Sequence, residues 1–193
     1  MTKFIPGMAL LALCICCLCA AGCKSTSVVV GVETDVDFES IKRVGVVPFD
    51  NHSTDRLAGE KVTSIFLTAM SKFTSVEIID PGEMLKALEE LGAEKNKLSS
   101  ILISKVGKKI GAEALIFGSV EEFSMEKFDN VVLPVVAVSA RMVDVKNGKV
   151  LWVASASDSG MSRVPIINIG EIRTRTALAT KVVTKMISRI YLR

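Results

Sequence analysis

All five cysteines of the 193-residue chain fall between residues 14 and 23, in the run CICCLCAAGC. Whatever lies beyond Cys23 therefore folds without a disulfide of its own and is held by its apolar core alone. A chain of this size can do that, burying roughly 70% of its unfolded surface in one domain. The run itself sits in an apolar stretch. Lys3 is the only charge before Lys24, no acidic residue precedes Glu33, and Phe4, Ile5, Met8 to Leu13, Ile15 and Leu18 lie between the two lysines. A basic start, a short apolar centre and a small-residue exit read as an export signal over residues 1–22. The stretch is shorter than the roughly 20 apolar residues of a comfortable membrane span. Zinc and iron–sulfur ligands converge from turns in a folded frame, whereas adjacent Cys16 and Cys17 in an apolar helix point apart. Cys14, Cys16, Cys17 and Cys19 thus read as small apolar filler, and neither metal nor cofactor is expected.

Cys23 stands apart, because Ala20-Ala21-Gly22 precede it and the polar Lys24-Ser25-Thr26-Ser27 follow. This arrangement resembles the lipobox of bacterial lipoproteins, with Ala20 where that family usually has Leu. The resemblance implies a palmitate-type lipid anchor, a diacylglycerol on Cys23, with cleavage just before it. Ordinary signal cleavage and an unprocessed anchor are the alternatives. Lys24 stands where an Asp would resemble an inner-membrane retention signal. In a two-membrane host that favours the outer membrane, with the domain facing the periplasm. Residues 23–40 are then expected as a lipid-attached linker and 41–193 as the folded domain.

Periodicity beyond the linker alternates between strand and helix. Val28-Val29-Val30-Gly31-Val32 is a short β-prone segment, and Arg43 to Phe49 a buried-strand candidate. Val62, Ile65, Phe66, Ala69, Met70 and Phe73 then recur at helical spacing. A strand over Val76 to Ile79 leads into Asp80-Pro81-Gly82-Glu83, a helix start with Asp at the cap and Pro at the first helical position. Met84, Leu85, Leu88 and Leu91 continue its apolar face. A helix over 99–109, with Ile101, Leu102, Val106 and Ile110 inward, ends at Gly111 and hands over to a strand from Ala114 to Val120. Val131 to Val145 is a long β-prone run, and Lys146-Asn147-Gly148-Lys149 a hairpin turn to the returning strand 150–155. A terminal helix over 169–190 presents Ile172, Thr176, Ala179, Val183, Met186 and Ile190. The sum is one α/β domain with a mixed β-sheet flanked by helices.

Three segments carry a family resemblance: Val44-Gly45-Val46-Val47-Pro48-Phe49-Asp50-Asn51, the stretch from Lys105 to Val120, and Val143 to Trp152. Together they resemble the CsgG-type curli assembly lipoproteins. They are also similar to the LpoB-type activators of penicillin-binding proteins and to the amino-terminal domain of TolB. The resemblance spans about residues 41 to 190 and implies a CsgG/TolB-N-like domain acting in envelope assembly or secretion. It also implies a secretion ring whose subunits each add β-hairpins to a membrane barrel. A spanning strand needs about 9 to 11 residues. The connections 121–130 and 157–168 are too short to add such hairpins, so the pore role is not expected.

No catalytic constellation is visible, and no enzyme activity is expected. His52 lies in a polar loop with no cysteine nucleophile or second histidine to partner it. The loop 50–55 lacks the glycine and distal glutamate of a calcium site. Two surfaces are candidates for binding an envelope partner or the membrane. Lys181, Lys185 and Arg189 recur every four residues on the last helix, a solvated face or a contact for anionic headgroups or an acidic partner. Val164, Ile166 and Ile167 form an apolar run, either buried under the helix start or exposed for docking. A net charge of +3 selects no partner class. Export argues against nucleic acid, and the fold leaves a homo-oligomer open. The expectation is a lipid-anchored, non-enzymatic accessory or scaffold, with activation of a peptidoglycan synthase as the alternative.

Overall fold

The computed structural model describes residues 26–33, 36, 38–95, 97–162 and 170–192. Cys23, Val164, Ile166, Ile167 and the export signal lie outside the described residues.

The chain opens with β1 (Ser27–Val32), then a single 3-10 turn, Phe38–Ser40, and β2 (Arg43–Val46). A two-residue strand β3 (Asp50–Asn51) precedes α1 (Ala58–Phe73), followed by β4 (Glu77–Ile79). Helices α2 (Pro81–Glu90) and α3 (Ser100–Ile110) come next. Three long strands follow, β5 (Ala114–Phe128), β6 (Val131–Asp144) and β7 (Val150–Ser159), and α4 (Arg175–Tyr191) closes the chain. The strands form one mixed sheet in the order β1-β7-β6-β5-β2-β4, with β3 added beside β5. β2 runs parallel to β4 and β5, whereas β5, β6, β7 and β1 are successively antiparallel.

Local chemistry sets the helix ends. The Asp80 carboxylate accepts from the N–H groups of Gly82 at 2.8 Å and Glu83 at 3.3 Å, and Pro81 fills the first helical position of α2. Ser99 caps α3 through the Leu102 N–H, and Gly111 ends it with φ 66°, a left-handed conformation that favours glycine. Thr174 caps α4 by accepting from the Ala177 N–H.

Helices α1 and α4 cover one face of the sheet. Phe66, Met70, Leu178, Val182, Met186 and Ile187 from the helices meet Ile116, Val120, Val138, Met142 and Trp152 from the strands. Helices α2 and α3 cover the other face only at its β4-β2-β5 end, where Met84, Leu88, Ile103 and Val106 pack on Ile79, Leu115 and Val143. Among the described residues no helix lies over the rest of that second face. Burial at this scale, about 25 cal/mol per Å² of apolar surface, is what lets the domain stand without a disulfide.

The structure departs from the sequence reading in four places. Residues 23–40, expected as a linker, contribute the edge strand β1, paired with β7 from Ser27↔Ser157 to Val32↔Trp152. The segment 121–130, expected as a connection, is mostly strand: β5 continues to Phe128 and turns through Asp129 and Asn130. Ile101 and Leu85 are exposed, and Ile103 and Ala87 take the inward positions. The terminal helix starts at Arg175 and buries Leu178, Val182 and Ile187, while Thr176 faces solvent.

Candidate functional site

Strand alternation sends Phe117, Ser119, Ser139, Arg141, Val153 and Ser155 to the sheet face opposite α1 and α4. Register then aligns them in rows. Ser119 lies beside Ser139, Ser139 beside Ser155, and Ser155 beside Val29. The next row holds Phe117, Arg141, Val153 and Gly31. Small side chains at the centre leave a concavity of about 450 Å³, rimmed by Asp50 and His52. Val29 is 69% exposed and Val153 48%, so apolar surface flanks the hollow.

Its polar groups are ordered. The Ser119 hydroxyl donates to Glu121 Oε1 at 2.6 Å and that of Ser139 to the same oxygen at 2.9 Å. These two hydrogen bonds hold the Glu121 carboxyl below its ordinary range, against a smaller opposing effect of burial and with help from the charge of His52. A register shift between Val120 and Glu122 places Glu121 where both serines reach it. The Arg141 guanidinium stacks over Phe117, 5.3 Å from the ring centre. Asp50 pairs with Lys95 at 2.8 Å, and Lys95 also donates to the carbonyls of Pro48 and Phe49. His52 donates its backbone N–H to the Val120 carbonyl, which pins the loop to the sheet. The arrangement supplies hydrogen-bonding and cation–π groups on a shallow floor.

A second groove, about 640 Å³, lies where β2 and β4 end, lined by Phe49, Arg56, Thr63, Leu67 and Leu85. Open α/β sheets commonly place ligand sites at such strand ends. Among the described residues no group of His, Cys, Asp and Glu could hold a metal ion, and no helix is long and apolar enough to cross a membrane.

The basic stripe of α4 runs beside β1 and is partly committed inside the domain. Lys181 pairs with Asp158 at 2.6 Å, and the same carboxylate oxygen accepts from the Thr26 hydroxyl at 2.7 Å. Lys185 donates to the Thr26 carbonyl at 3.3 Å. Arg189 lines a hollow with Val28, Val30 and Leu192. Like-charge spacing on the helix is thus explained in part by partners on β1 and β7. Val164, Ile166 and Ile167 are not brought to any of these sites by the described residues. The serine row was missed in the sequence, although Ser119, Ser139 and Ser155 all sit at alternating strand positions that oppose buried neighbours.

Comparison with known proteins agrees with this architecture. No curated relative matches the chain by sequence. PelC from Paraburkholderia phytofirmans, solved as a dodecamer, is 22% identical with a TM-score of 0.60, covering 88% of this chain and 100% of that one. Lipoprotein GNA1162 from Neisseria meningitidis is 20% identical with a TM-score of 0.58, covering 79% and 99%. The C-terminal domain of LpoB from Salmonella enterica, at 16% identity and a TM-score of 0.45 over 61% and 81%, is too loose a likeness to carry an argument. The structural likenesses establish the fold, and the family comes from sequence. The GNA1162-like lipoprotein model matches residues 42–191, in place of the CsgG-type family that the motifs resemble, and the chain belongs to the GNA1162-like family.

Proposed function

We propose that this chain is a lipoprotein tethered to the outer membrane through Cys23, its domain facing the periplasm. There it serves as a non-enzymatic accessory or scaffold in envelope assembly or secretion. The observation that supports the reading most is the sheet face over which no described helix lies. Apolar Val29 and Val153 flank an ordered polar floor of Ser119, Ser139, Glu121 and Arg141, a combination suited to a protein partner. Self-assembly belongs to the proposal, since the similar PelC was solved as a dodecamer. A pore does not. The β5–β6 hairpin stands free of β7 only from Met125↔Pro134 to Phe128↔Val131, well under the roughly 9 to 11 residues per strand of a membrane barrel.

The test is affinity purification of the full chain from detergent extract, beside a Val29→Glu, Val153→Glu variant. Recovery of envelope assembly or secretion proteins by the parent and their loss from the variant, at unchanged thermal stability, is the expected result. Equal recovery by both would remove the face from the account. Specific recovery of a penicillin-binding protein would replace scaffolding with activation of a peptidoglycan synthase, and electron micrographs of a membrane-spanning ring would restore the pore.

A further inference from the structure

The described chain begins at Thr26, three residues after Cys23, and it begins at a particular end of the sheet. Ser27 pairs with Ser157, Ser157 with Ala137, and Ala137 with Glu122, so these four residues form one row across β1, β7, β6 and β5. β1 runs away from that row toward Val32, and Thr26 precedes it on the opposite side. The β5–β6 hairpin projects the same way. β7 stops pairing at Val135↔Ser159, and beyond it the hairpin continues to the turn at Asp129 and Asn130. Thr26, where the described chain begins, and the hairpin tip therefore share one pole.

Their reaches can be compared. Cys23 lies four residues before Ser27, at most about 14 Å at roughly 3.5 Å per residue. Val131 lies six residues beyond Ala137 on β6, about 20 Å at roughly 3.3 Å per residue. With the strands upright on the bilayer, the tip passes the anchored cysteine by about 6 Å. A lean of up to about 45° still leaves it level with the cysteine. A lipid on Cys23 thus brings the tip to the membrane, and the tip is apolar. Met125 is 42% exposed, Val131 47% and Val132 54%, with Phe128 beside them half-buried.

We infer that the tip of the β5–β6 hairpin is a second membrane contact, seating Met125, Val131 and Val132 in the lipid interface beside the anchor. The inference rests on the lipid anchor at Cys23 proposed above. Glu126, Lys127 and Asp129 interleave with the apolar side chains, so the tip stays among headgroups and at the acyl boundary, roughly 5–10 Å deep, and does not span. Its role is orientational. One flexible lipid attachment lets a domain swivel, whereas two contacts at one pole stand the strands on the membrane and direct the open sheet face sideways.

The test uses the full chain, purified from membranes and reconstituted in phosphatidylethanolamine–phosphatidylglycerol vesicles with brominated or ordinary acyl chains. Val132→Trp and Met125→Trp report the tip, and Val150→Trp reports the opposite end of the sheet. Trp152, buried at 1%, contributes the same background to all. The tip reporters are expected to lose most of their emission in brominated vesicles, while the Val150→Trp variant keeps its own. Intact mass of the same samples separates the two claims. A lipid-bearing Cys23 with unquenched tip reporters overturns the hairpin contact and leaves the anchor standing. An unmodified Cys23 overturns the anchor reading and the inference with it. Blue-shifted tip emission without bromine quenching also overturns the inference, assigning the tip to a second copy.

Discussion

Removing the Asp158 carboxylate should loosen the start of the domain. That carboxylate joins three elements at one point: β7 carries it, the Thr26 hydroxyl ahead of β1 donates to it at 2.7 Å, and Lys181 of α4 reaches it at 2.6 Å. The pair is neither fully buried nor free, with side-chain exposures of 12% for Asp158 and 26% for Lys181. An exposed pair is worth about 0–1 kcal/mol, and breaking a buried one costs about 3–5 kcal/mol. The intermediate burial puts the Lys181 contribution at about 1–2 kcal/mol, and the Thr26 bond adds about 1 kcal/mol. Asp158→Ala should therefore cost about 2–3 kcal/mol, or about 4–12 °C in melting temperature for a chain of this size. Asp158→Asn, which keeps an acceptor for Thr26 and loses the charge, should fall about midway. Urea unfolding of these variants with Thr26→Val and the double variant completes the cycle. A coupling of about 0.5 kcal/mol or more is expected between residues 26 and 158. Full additivity, or an Asp158→Ala cost below about 0.5 kcal/mol, would refute the claim that this carboxylate fastens β1 to the body.

Acid should weaken the fold in a defined window. Backbone N–H donors and cations hold the carboxyls of Asp55 and Glu113 below their ordinary values, and serine hydroxyls do so for Glu121. Groups lowered in the folded state stabilise it above the unfolded values, about 3.9 for Asp and 4.3 for Glu, and that stability is lost as pH falls through the folded ones. Urea midpoints should hold steady from pH 7 to about pH 5 and then drop, and Glu113→Gln should flatten part of the slope. Replacing Ser119 and Ser139 together by Ala should move the Glu121 titration upward toward the ordinary glutamate range, read by carbon-13 NMR of the carboxyl. No movement would remove the serines as the cause. Gly118→Ala should cost about 1–3 kcal/mol, because a methyl group there runs into the Phe49 ring. Phe49→Leu in the same chain should recover part of that loss in thermal melts, and a purely additive double variant would contradict the packing argument.

Much of the fold was legible because its signals were local. Asp80-Pro81 marked the start of α2 and Gly111 the end of α3, since caps act on neighbours within a turn. Val62, Phe66, Ala69 and Met70 read correctly as the buried face of α1. On α3 the buried Ile103, Val106, Gly107 and Ile110 keep the i, i+3, i+4, i+7 spacing of one helix face, and Ile101 falls off it, so the inward assignment of Ile101 followed its apolar side chain and not the helical period. The length of β5 was hidden because Glu121, Glu122, Glu126 and Lys127 look like a loop. Glu126 and Lys127 are the exposed residues of a strand that projects past β7, whereas Glu121 is held at the serine row and Glu122 is half-buried.

The candidate surface was less legible for a related reason. Lys181 and Lys185 looked like a free basic stripe because their partners, Asp158 and Thr26, lie 23 and 159 residues away. The row of Ser119, Ser139 and Ser155 exists only once three strands are in register. The β-prone Val28 to Val32 was visible as a segment, but its place at the sheet edge depends on β7.

Where this chain is fastened is settled by the intact mass of the protein isolated from membranes, with a Cys23→Ala control. The expected mass is that of a chain beginning at Cys23 and carrying a diacylglyceryl group and fatty acyl chains, with the Cys23→Ala protein accumulating uncleaved and globomycin reproducing that block in the parent. A mature chain that begins elsewhere, or an unmodified Cys23 with processing indifferent to both treatments, would contradict it.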